Sequence, residues 1–268
     1  MDDQNQNYDQ HHEELTRVVE PEVHKMGAVQ RIINLFVSPS ELMQNIKVYP
    51  VILIPLIVSM AIGLISVPLT SQIMPIVQQE LSIISIDRYG IDLMNLGAQG
   101  DIYGDFNVEE MDTFLMISSV IGAIITPLII SFILALGMLV LSKIARGDAT
   151  FGQLLSMYMH IYIIIILGEL IVSGLMVTTG NFLNMTSLAA VFMPQGNIAM
   201  VSFNVLSSIS IFTVWVAVLT FIGVKILNQF GNIKAGILAG IAFFVGMAFQ
   251  VGSLMANIII WDMMFTQI

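Results

Sequence analysis

Two ionisable side chains, His160 and Glu169, interrupt one long apolar stretch of this 268-residue sequence. An ionisable group inside a membrane-spanning segment is costly to bury, so each is a candidate for proton or substrate chemistry. The two residues are nine positions apart, which places them on opposite sides of an α-helix with 3.6 residues per turn. This spacing argues against a catalytic pair.

A polar layer inside the membrane is the first candidate site, and its members are Glu169, Gln250, Thr126 and His160. Glu169 and Gln250 each lie sixteen residues after the start of an apolar stretch, about 24 Å along a helix that rises 1.5 Å per residue. Thr126 falls near that depth and His160 lies lower. Two interpretations stay open: an interhelical hydrogen-bond cluster with a protonated Glu169, and a site that couples transport to a proton or a small solute.

Motifs for enzymatic chemistry are absent from the sequence. There is no H-E-x-x-H zinc pair and no Ser-His arrangement that argues for nucleophilic attack. The chain has no cysteine, which removes thiolate nucleophiles and cysteine metal sites. The stretch "DFNVEEMD" begins like a calcium loop at Asp105 but has Glu110 where the turn glycine belongs. We therefore predict a non-enzymatic protein with no metal, no other cofactor and no nucleic-acid partner.

Apolar composition indicates a membrane protein. Hydrophobic residues make up 56% of the chain and charged residues 10%, and the mean hydropathy is +0.87. A helix of about 20 apolar residues crosses a bilayer, because its backbone polar groups are satisfied internally. Five stretches qualify, and they run approximately over 47–69, 114–141, 153–177, 204–227 and 234–260. The sequence thus predicts an all-α integral membrane protein with a five-transmembrane-helix bundle over 47–268.

Basic residues are sorted to one side of these five stretches. Eight of the nine Lys and Arg residues lie before or at the start of the first stretch, between stretches two and three, or at the facing ends of stretches four and five. Only Arg88 lies on the alternate side. Because basic residues near span ends stay in the cytoplasm, we predict a cell-membrane protein with its N-terminus inside and its C-terminus outside. Residues 1–25 are expected to form a disordered acidic cytoplasmic tail, and 70–112 a long acidic outer loop.

A cytoplasmic interfacial amphipathic region is predicted over 26–46, just before the first span. Apolar residues recur at three- and four-residue spacing in 26–36, so this segment is expected to lie on the bilayer surface. A cytosolic helical linker is the alternative. In "FVSPSELMQNIKVYP", Ser38, Pro39 and Glu41 occupy the positions of a helix start with a reciprocal capping box.

Three stretches resemble the Yip family of five-span membrane proteins, named for Ypt/Rab-interacting proteins. They are "INLFVSPSELMQNIKVYPVILIPL", "ARGDATFGQLLSMYMHIYI" and "IFTVWVAVLTFIGVKILNQFGNIKAGILAGI". The resemblance covers residues from about 30 to 257 and is greatest to the bacterial branch. Eukaryotic relatives imply Rab-linked traffic and membrane shaping. A bacterial relative implies an accessory membrane component, in some cases associated with an ABC-type exporter.

Two functions compete on this sequence. An accessory or scaffold protein would bind a membrane-protein partner, or a second copy of itself, at the membrane surface. A small-solute or proton-coupled transporter would use the polar layer around Glu169. For the scaffold we predict contact with membrane lipids. We also predict a cytoplasmic docking face for the partner, formed by Ser38, Pro39, Glu41, Lys143, Arg146 and Phe151.

Overall fold

The computed structural model describes residues 24–89, 108–181, 183–194 and 201–265. The described chain is almost entirely helical, as predicted. Its helices are α1 (Ala28–Asn34), α2 (Pro39–Val48), α3 (Leu53–Tyr89), α4 (Val108–Ile144), α5 (Phe151–Thr179), α6 (Leu188–Phe192), α7 (Val201–Ser208), α8 (Ile211–Leu227) and α9 (Asn232–Phe265).

Helix α5 is the centre of the bundle. Helices α3 and α4 pack along it together, α8 packs against it as well, and α9 joins through α8. From Leu154 to Ile164 every residue of α5 is buried. A helix that is surrounded in this way needs apolar side chains on all its faces, and the sequence of this segment supplies them.

Three helices are long and apolar enough to cross a membrane, over Met116–Ile144, Phe151–Thr179 and Asn232–Gly252. Two further helices have shorter apolar segments, over Leu53–Leu69 and Ile211–Leu227. Each of these five segments overlaps one of the five apolar stretches of the sequence. The lengths of the two shorter segments do not by themselves establish a span.

The fourth predicted stretch, 204–227, is wrong as one continuous helix, because the chain breaks between α7 and α8. Ser210 begins α8 with a reciprocal cap. Its main-chain N–H donates to Thr213 Oγ1 at 2.8 Å, and the Thr213 N–H donates to Ser210 Oγ at 3.2 Å. These bonds satisfy main-chain groups at a new helix start, so they end the helical ladder in the middle of an apolar sequence.

The predicted acidic outer loop over 70–112 contains helix where the structure describes it. Helix α3 continues to Tyr89 and α4 begins at Val108, so both ends of this region are helical. The acidic residues between 90 and 107 lie outside the described residues. Helix α4 also passes through Pro127 without ending.

Helices α2, α5 and α8 meet at Gly223. A Cβ atom at this position would collide with Met157 Sδ of α5 and would lie 3.2 Å from Met43 Sδ of α2. The missing side chain therefore lets the three helices approach closely. This junction brings the short α2 helix into the core of the bundle, where Leu42, Met43 and Ile46 are fully buried.

Candidate functional site

The predicted intramembrane residues do not form a buried layer in the structure. Thr126, Glu169 and Gln250 are exposed on the surface of the bundle. Glu169 makes no hydrogen bond or ion pair with any residue that the structure describes. Only His160 is enclosed, with no exposed surface. Three of the four side chains are therefore not enclosed by the bundle.

His160 lies on the buried side of α5. Its Nδ1 is 2.7 Å from the Ser156 carbonyl oxygen. A carbonyl oxygen can only accept, so Nδ1 carries the proton, and in the neutral ring Nε2 is an acceptor. Nε2 has no hydrogen-bond partner among the described residues. The hydrogen bond to Ser156 on the same helix thus fixes the orientation of the imidazole ring. The Nε2 atom is an acceptor in the core without a donor among the described residues.

The residues of the predicted docking face occupy one end of the bundle. Glu41, Lys143 and Arg146 are exposed, while Ser38, Pro39 and Phe151 are partly covered. Lys143 Nζ donates to the Gly147 carbonyl at 3.1 Å, and Phe151 packs edge-on against Phe132 with ring centroids 5.3 Å apart. We call this end, with α1, α2 and the α4–α5 and α8–α9 connections, the elbow end.

The predicted start of α2 at Pro39 is confirmed, but its capping box is not formed. The Ser38 side chain makes no capping hydrogen bond, and its backbone has φ −138° and ψ 64° rather than the extended geometry usual at this position. Glu41 instead accepts a long hydrogen bond of 3.5 Å from Asn34 Nδ2. The Glu41 side chain thus contacts α1 rather than the start of its own helix.

Arg31 and Asn45 form a buried polar centre between α1 and α2. Arg31 is 0% exposed, and its NH2 donates to Asn45 Oδ1 at 2.5 Å and to the Tyr49 carbonyl at 3.0 Å. Asn45 Nδ2 donates to the His24 carbonyl at 2.7 Å. Burial lowers the pKa of the Arg31 guanidinium. The centre fixes both helices to the extended segment before α1.

Two side chains of α5 hold the junction between α2 and α3. Gln153 Nε2 donates to the Lys47 carbonyl at 2.7 Å. Ser156 Oγ donates to the Val51 carbonyl at 2.8 Å and accepts from the Val51 N–H at 3.0 Å. These bonds satisfy one carbonyl in the last turn of α2 and both main-chain groups of Val51 in the connection to α3.

Asn228 joins the two connections at the elbow end. Its Oδ1 accepts from the Ala149 N–H at 3.2 Å, and its Nδ2 donates to the Val224 carbonyl at 3.1 Å. Gly147 leaves room for this amide, because a Cβ there would collide with it. Lys234 adds a bond from Nζ to the Ala145 carbonyl at 3.1 Å. The α4–α5 and α8–α9 connections therefore form one linked surface.

The exposed side of α1 is mostly apolar, and Gln30 is the one exposed polar residue on this helix. Val29 is 72% exposed and the adjoining Val37 74%, and Ile33 and Phe36 are also exposed. The polar residues Arg31 and Asn34 of this segment turn inward and are buried. Helix α1 therefore has its apolar side facing away from the protein. A surface helix of a water-soluble protein has the opposite orientation, with its apolar side against the core.

Sequence reasoning missed the amides that build this end. Asn45 lies on the same face of α2 as Leu42 and Ile46, three residues after one and next to the other. An asparagine inside an apolar helical face indicates a buried hydrogen-bonding role, so this signal was present. Asn228, in the short turn after α8, carries no comparable pattern. Among the described residues, no group of three or more His, Asp or Glu side chains is arranged to hold a metal ion.

Comparison with known proteins agrees with the resemblance noted in the sequence. The Yip1 domain model matches residues 33–254. The chain is 28% identical over 221 residues to the membrane protein YknW of Bacillus subtilis (strain 168), which covers 80% of this chain and 84% of that relative. No solved structure matches the chain. On the family match, which spans most of its length, the chain belongs to the Yip1 domain family.

Proposed function

We propose that this Yip1 family membrane protein is a non-enzymatic accessory or scaffold component that binds a partner membrane protein through the docking face at its elbow end. The observation that carries the proposal is the linked surface there. Gln153, Ser156 and Asn228 hold separate segments in place through bonds from side chain to main chain. A preorganised surface loses less conformational entropy when a partner binds.

The membrane arrangement that we propose has five spans: α3, α4, α5, α8 and α9. Helices α3 and α8 pack directly beside α5, which supports spanning despite their shorter apolar segments. The elbow end lies in the cytoplasm, since Lys143, Arg146, Lys225 and Lys234 are exposed there and basic residues near span ends remain inside. The C-terminus is then outside the cell.

The apolar face of α1 rests on the inner surface of the bilayer in this arrangement. Transfer of the exposed valine, isoleucine and phenylalanine side chains from water to the boundary between lipid headgroups and acyl chains lowers the free energy. The inward bonds of Arg31 keep the helix attached to the bundle while its other face contacts lipid. The resemblance to bacterial Yip proteins favours an ABC-type exporter as the partner.

Co-purification in mild detergent tests the scaffold proposal. We expect the wild-type protein to retain a stoichiometric membrane-protein partner, and the double variant Lys143→Glu, Arg146→Glu to lose it, because both changes reverse charge on the docking face. Met185→Glu is the matched control, since Met185 is exposed in the connection after α5. Equal recovery from all three proteins would contradict the assigned face.

A proton-coupled or small-solute transporter is the second candidate, and the unused Nε2 of buried His160 is the observation in its favour. Purified protein in liposomes separates the two functions. The scaffold proposal predicts no proton-coupled flux from the protein alone. Flux that is lost in His160→Gln or Glu169→Gln would favour the transporter.

A further inference from the structure

Three basic residues lie at the connection between α4 and α5. Lys143 Nζ donates to the Gly147 carbonyl at 3.1 Å, and Lys234 Nζ, from the start of α9, donates to the Ala145 carbonyl at 3.1 Å. Arg146 lies between these two carbonyls in the chain and is exposed. Because both acceptors are neutral, the hydrogen bonds position the two ammonium groups without cancelling their charge. We call Lys143, Arg146 and Lys234 the basic cluster.

Acidic side chains do not pair with the basic cluster. Among the described residues of the elbow end, the exposed acids are Glu41 and Asp148, and neither forms an ion pair with the cluster. The Glu41 carboxylate instead accepts from Asn34 Nδ2. The cluster therefore keeps a positive charge that no ion pair within the described chain neutralises, so it suits an anionic ligand.

Arg146 occupies a backbone position that favours glycine. Its φ is 59°, and the end of α4 is closed by hydrogen bonds from the Arg146 N–H to the Lys143 carbonyl at 3.0 Å and from the Gly147 N–H to the Ser142 carbonyl at 2.7 Å. Helix ends of this kind usually have glycine at the left-handed position, because a Cβ atom is disfavoured there. An arginine at a strained position indicates a role for its side chain.

An exposed apolar stripe runs along each of the two helices that carry the lysines. Its members are Ile144, Val140 and Leu136 on α4, and Ile233, Ile237 and Ile241 on α9. Both sets recur every four residues, so each set lies on one face of its helix. Both stripes are within segments that are long and apolar enough to cross a membrane. Acyl chains beside either helix therefore meet apolar side chains next to the basic cluster.

We propose that the basic cluster binds the phosphate of an anionic phospholipid in the cytoplasmic leaflet, with the acyl chains of that lipid against the stripes of α4 and α9. Basic groups at the cytoplasmic ends of spanning helices are suited to anionic headgroups. A lipid is favoured over an acidic protein segment, because the stripes begin beside the cations: Ile144 follows Lys143, and Ile233 precedes Lys234. The proposal rests on the proposed five-span arrangement with the elbow end inside, and it does not require a protein partner.

Thermal unfolding of the purified full-length protein in a neutral detergent tests the site. We expect phosphatidylglycerol to raise the Tm, because a ligand that binds the folded state stabilises it, and we expect phosphatidylcholine with the same acyl chains to have little effect. Lys234→Gln should weaken phosphatidylglycerol binding on the order of tenfold, since a charge-assisted bond is lost. Lys225→Gln is the matched control, because Lys225 is exposed at the same end and does not bond to the α4–α5 connection.

The lipid-dependent rise is measured within each variant, so a change in the stability of the lipid-free variant does not affect the comparison. An equal response of Lys234→Gln and Lys225→Gln to phosphatidylglycerol would overturn the proposal. An equal response of the wild-type protein to phosphatidylglycerol and phosphatidylcholine would also overturn it, because the positive charge would then play no part.

Arg146→Gly supplies a second test with two opposite effects. In lipid-free detergent we expect a higher Tm than in the wild-type protein, because glycine accepts the left-handed backbone without strain. The rise on addition of phosphatidylglycerol should be smaller, because one phosphate ligand is lost. An Arg146→Gly protein that keeps the full lipid-dependent rise would overturn the proposal.

Inorganic phosphate distinguishes a lipid from a soluble anion. We expect phosphate alone to leave the wild-type Tm unchanged. A rise with phosphate to which phosphatidylglycerol adds nothing would overturn the proposal in favour of a soluble anion, and no rise with either would leave the cluster to a protein partner. Lipid binding in detergent does not depend on sidedness, so a failure here is distinct from a failure of the five-span arrangement in cysteine labelling.

Discussion

Amide side chains organise the elbow end at the level of single residues. Asn45, Gln153 and Asn228 each bond to main-chain groups of another segment. An amide has both donors and an acceptor, so it can satisfy the N–H or C=O groups that helix ends leave open. Neutral amides also avoid the cost of placing charges near the hydrocarbon. Arg31 is the exception, because its fully buried guanidinium donates to the neutral Asn45 side chain and the Tyr49 carbonyl.

Removing the Asn228 amide should destabilise the connections that it joins. We expect Asn228→Ala to lower the free energy of unfolding by about 1–3 kcal/mol, because the buried Ala149 N–H loses its acceptor. Thermal unfolding in detergent measures the effect. Asn232→Ala is the control, since Asn232 is exposed in the same region. Equal Tm values for the two variants would show that Asn228 is not a structural link.

Replacing Glu169 should leave stability nearly unchanged. The side chain is exposed and makes no hydrogen bond or ion pair with a described residue, so we expect Glu169→Leu to shift the free energy of unfolding by less than about 0.5 kcal/mol. Ser156→Ala on the same helix is the positive control and should lower the Tm, because both of its bonds to Val51 are lost. A Tm that falls in Glu169→Leu and recovers in Glu169→Gln would support the hydrogen-bond cluster instead.

Helix positions were more predictable than helix surroundings. Pro39 marked the start of α2, because proline fits the first turn of a helix and lacks the N–H that would be unpaired there. The capping role of Ser38 failed, since capping depends on backbone angles that the α1–α2 packing sets. Periodicity also identified the apolar side of α1, but it did not show that Arg31 would be buried on the other side. Partner choice across helices is a tertiary property that spacing alone does not encode.

Spin labels can test whether the apolar face of α1 contacts lipid. Labels on Ile33→Cys and Phe36→Cys are expected to be accessible to oxygen and protected from a water-soluble nickel reagent, because apolar surface at the membrane interface is buried in the acyl boundary. Ser40→Cys, exposed on α2, is the reference for a more polar position. Full accessibility of Ile33 and Phe36 to the nickel reagent would place this face in water or against a soluble partner.

At the scale of the whole molecule, hydropathy predicted the helical membrane fold and the approximate places of five apolar helices. Hydropathy missed the break at Ser210, because an average over many residues does not detect a side chain that replaces a main-chain hydrogen bond of the helix. The first long helix also continues beyond its apolar stretch to Tyr89, since polar residues after 69 can continue a helix beyond the hydrocarbon. Exposure of Glu169 could not be predicted, because depth along a helix does not define which side faces a neighbour.

Cysteine labelling of intact cells is the most direct test of the central claim, that five helices span the membrane with the elbow end inside. The chain has no natural cysteine, and Lys25, Asp148, Met185 and Gly231 are all exposed. An impermeant thiol reagent should label Met185→Cys and spare Lys25→Cys, Asp148→Cys and Gly231→Cys until the cells are permeabilised. Labelling of Gly231→Cys together with Met185→Cys would show that α8 does not span, and labelling of Asp148→Cys instead of Met185→Cys would reverse the orientation.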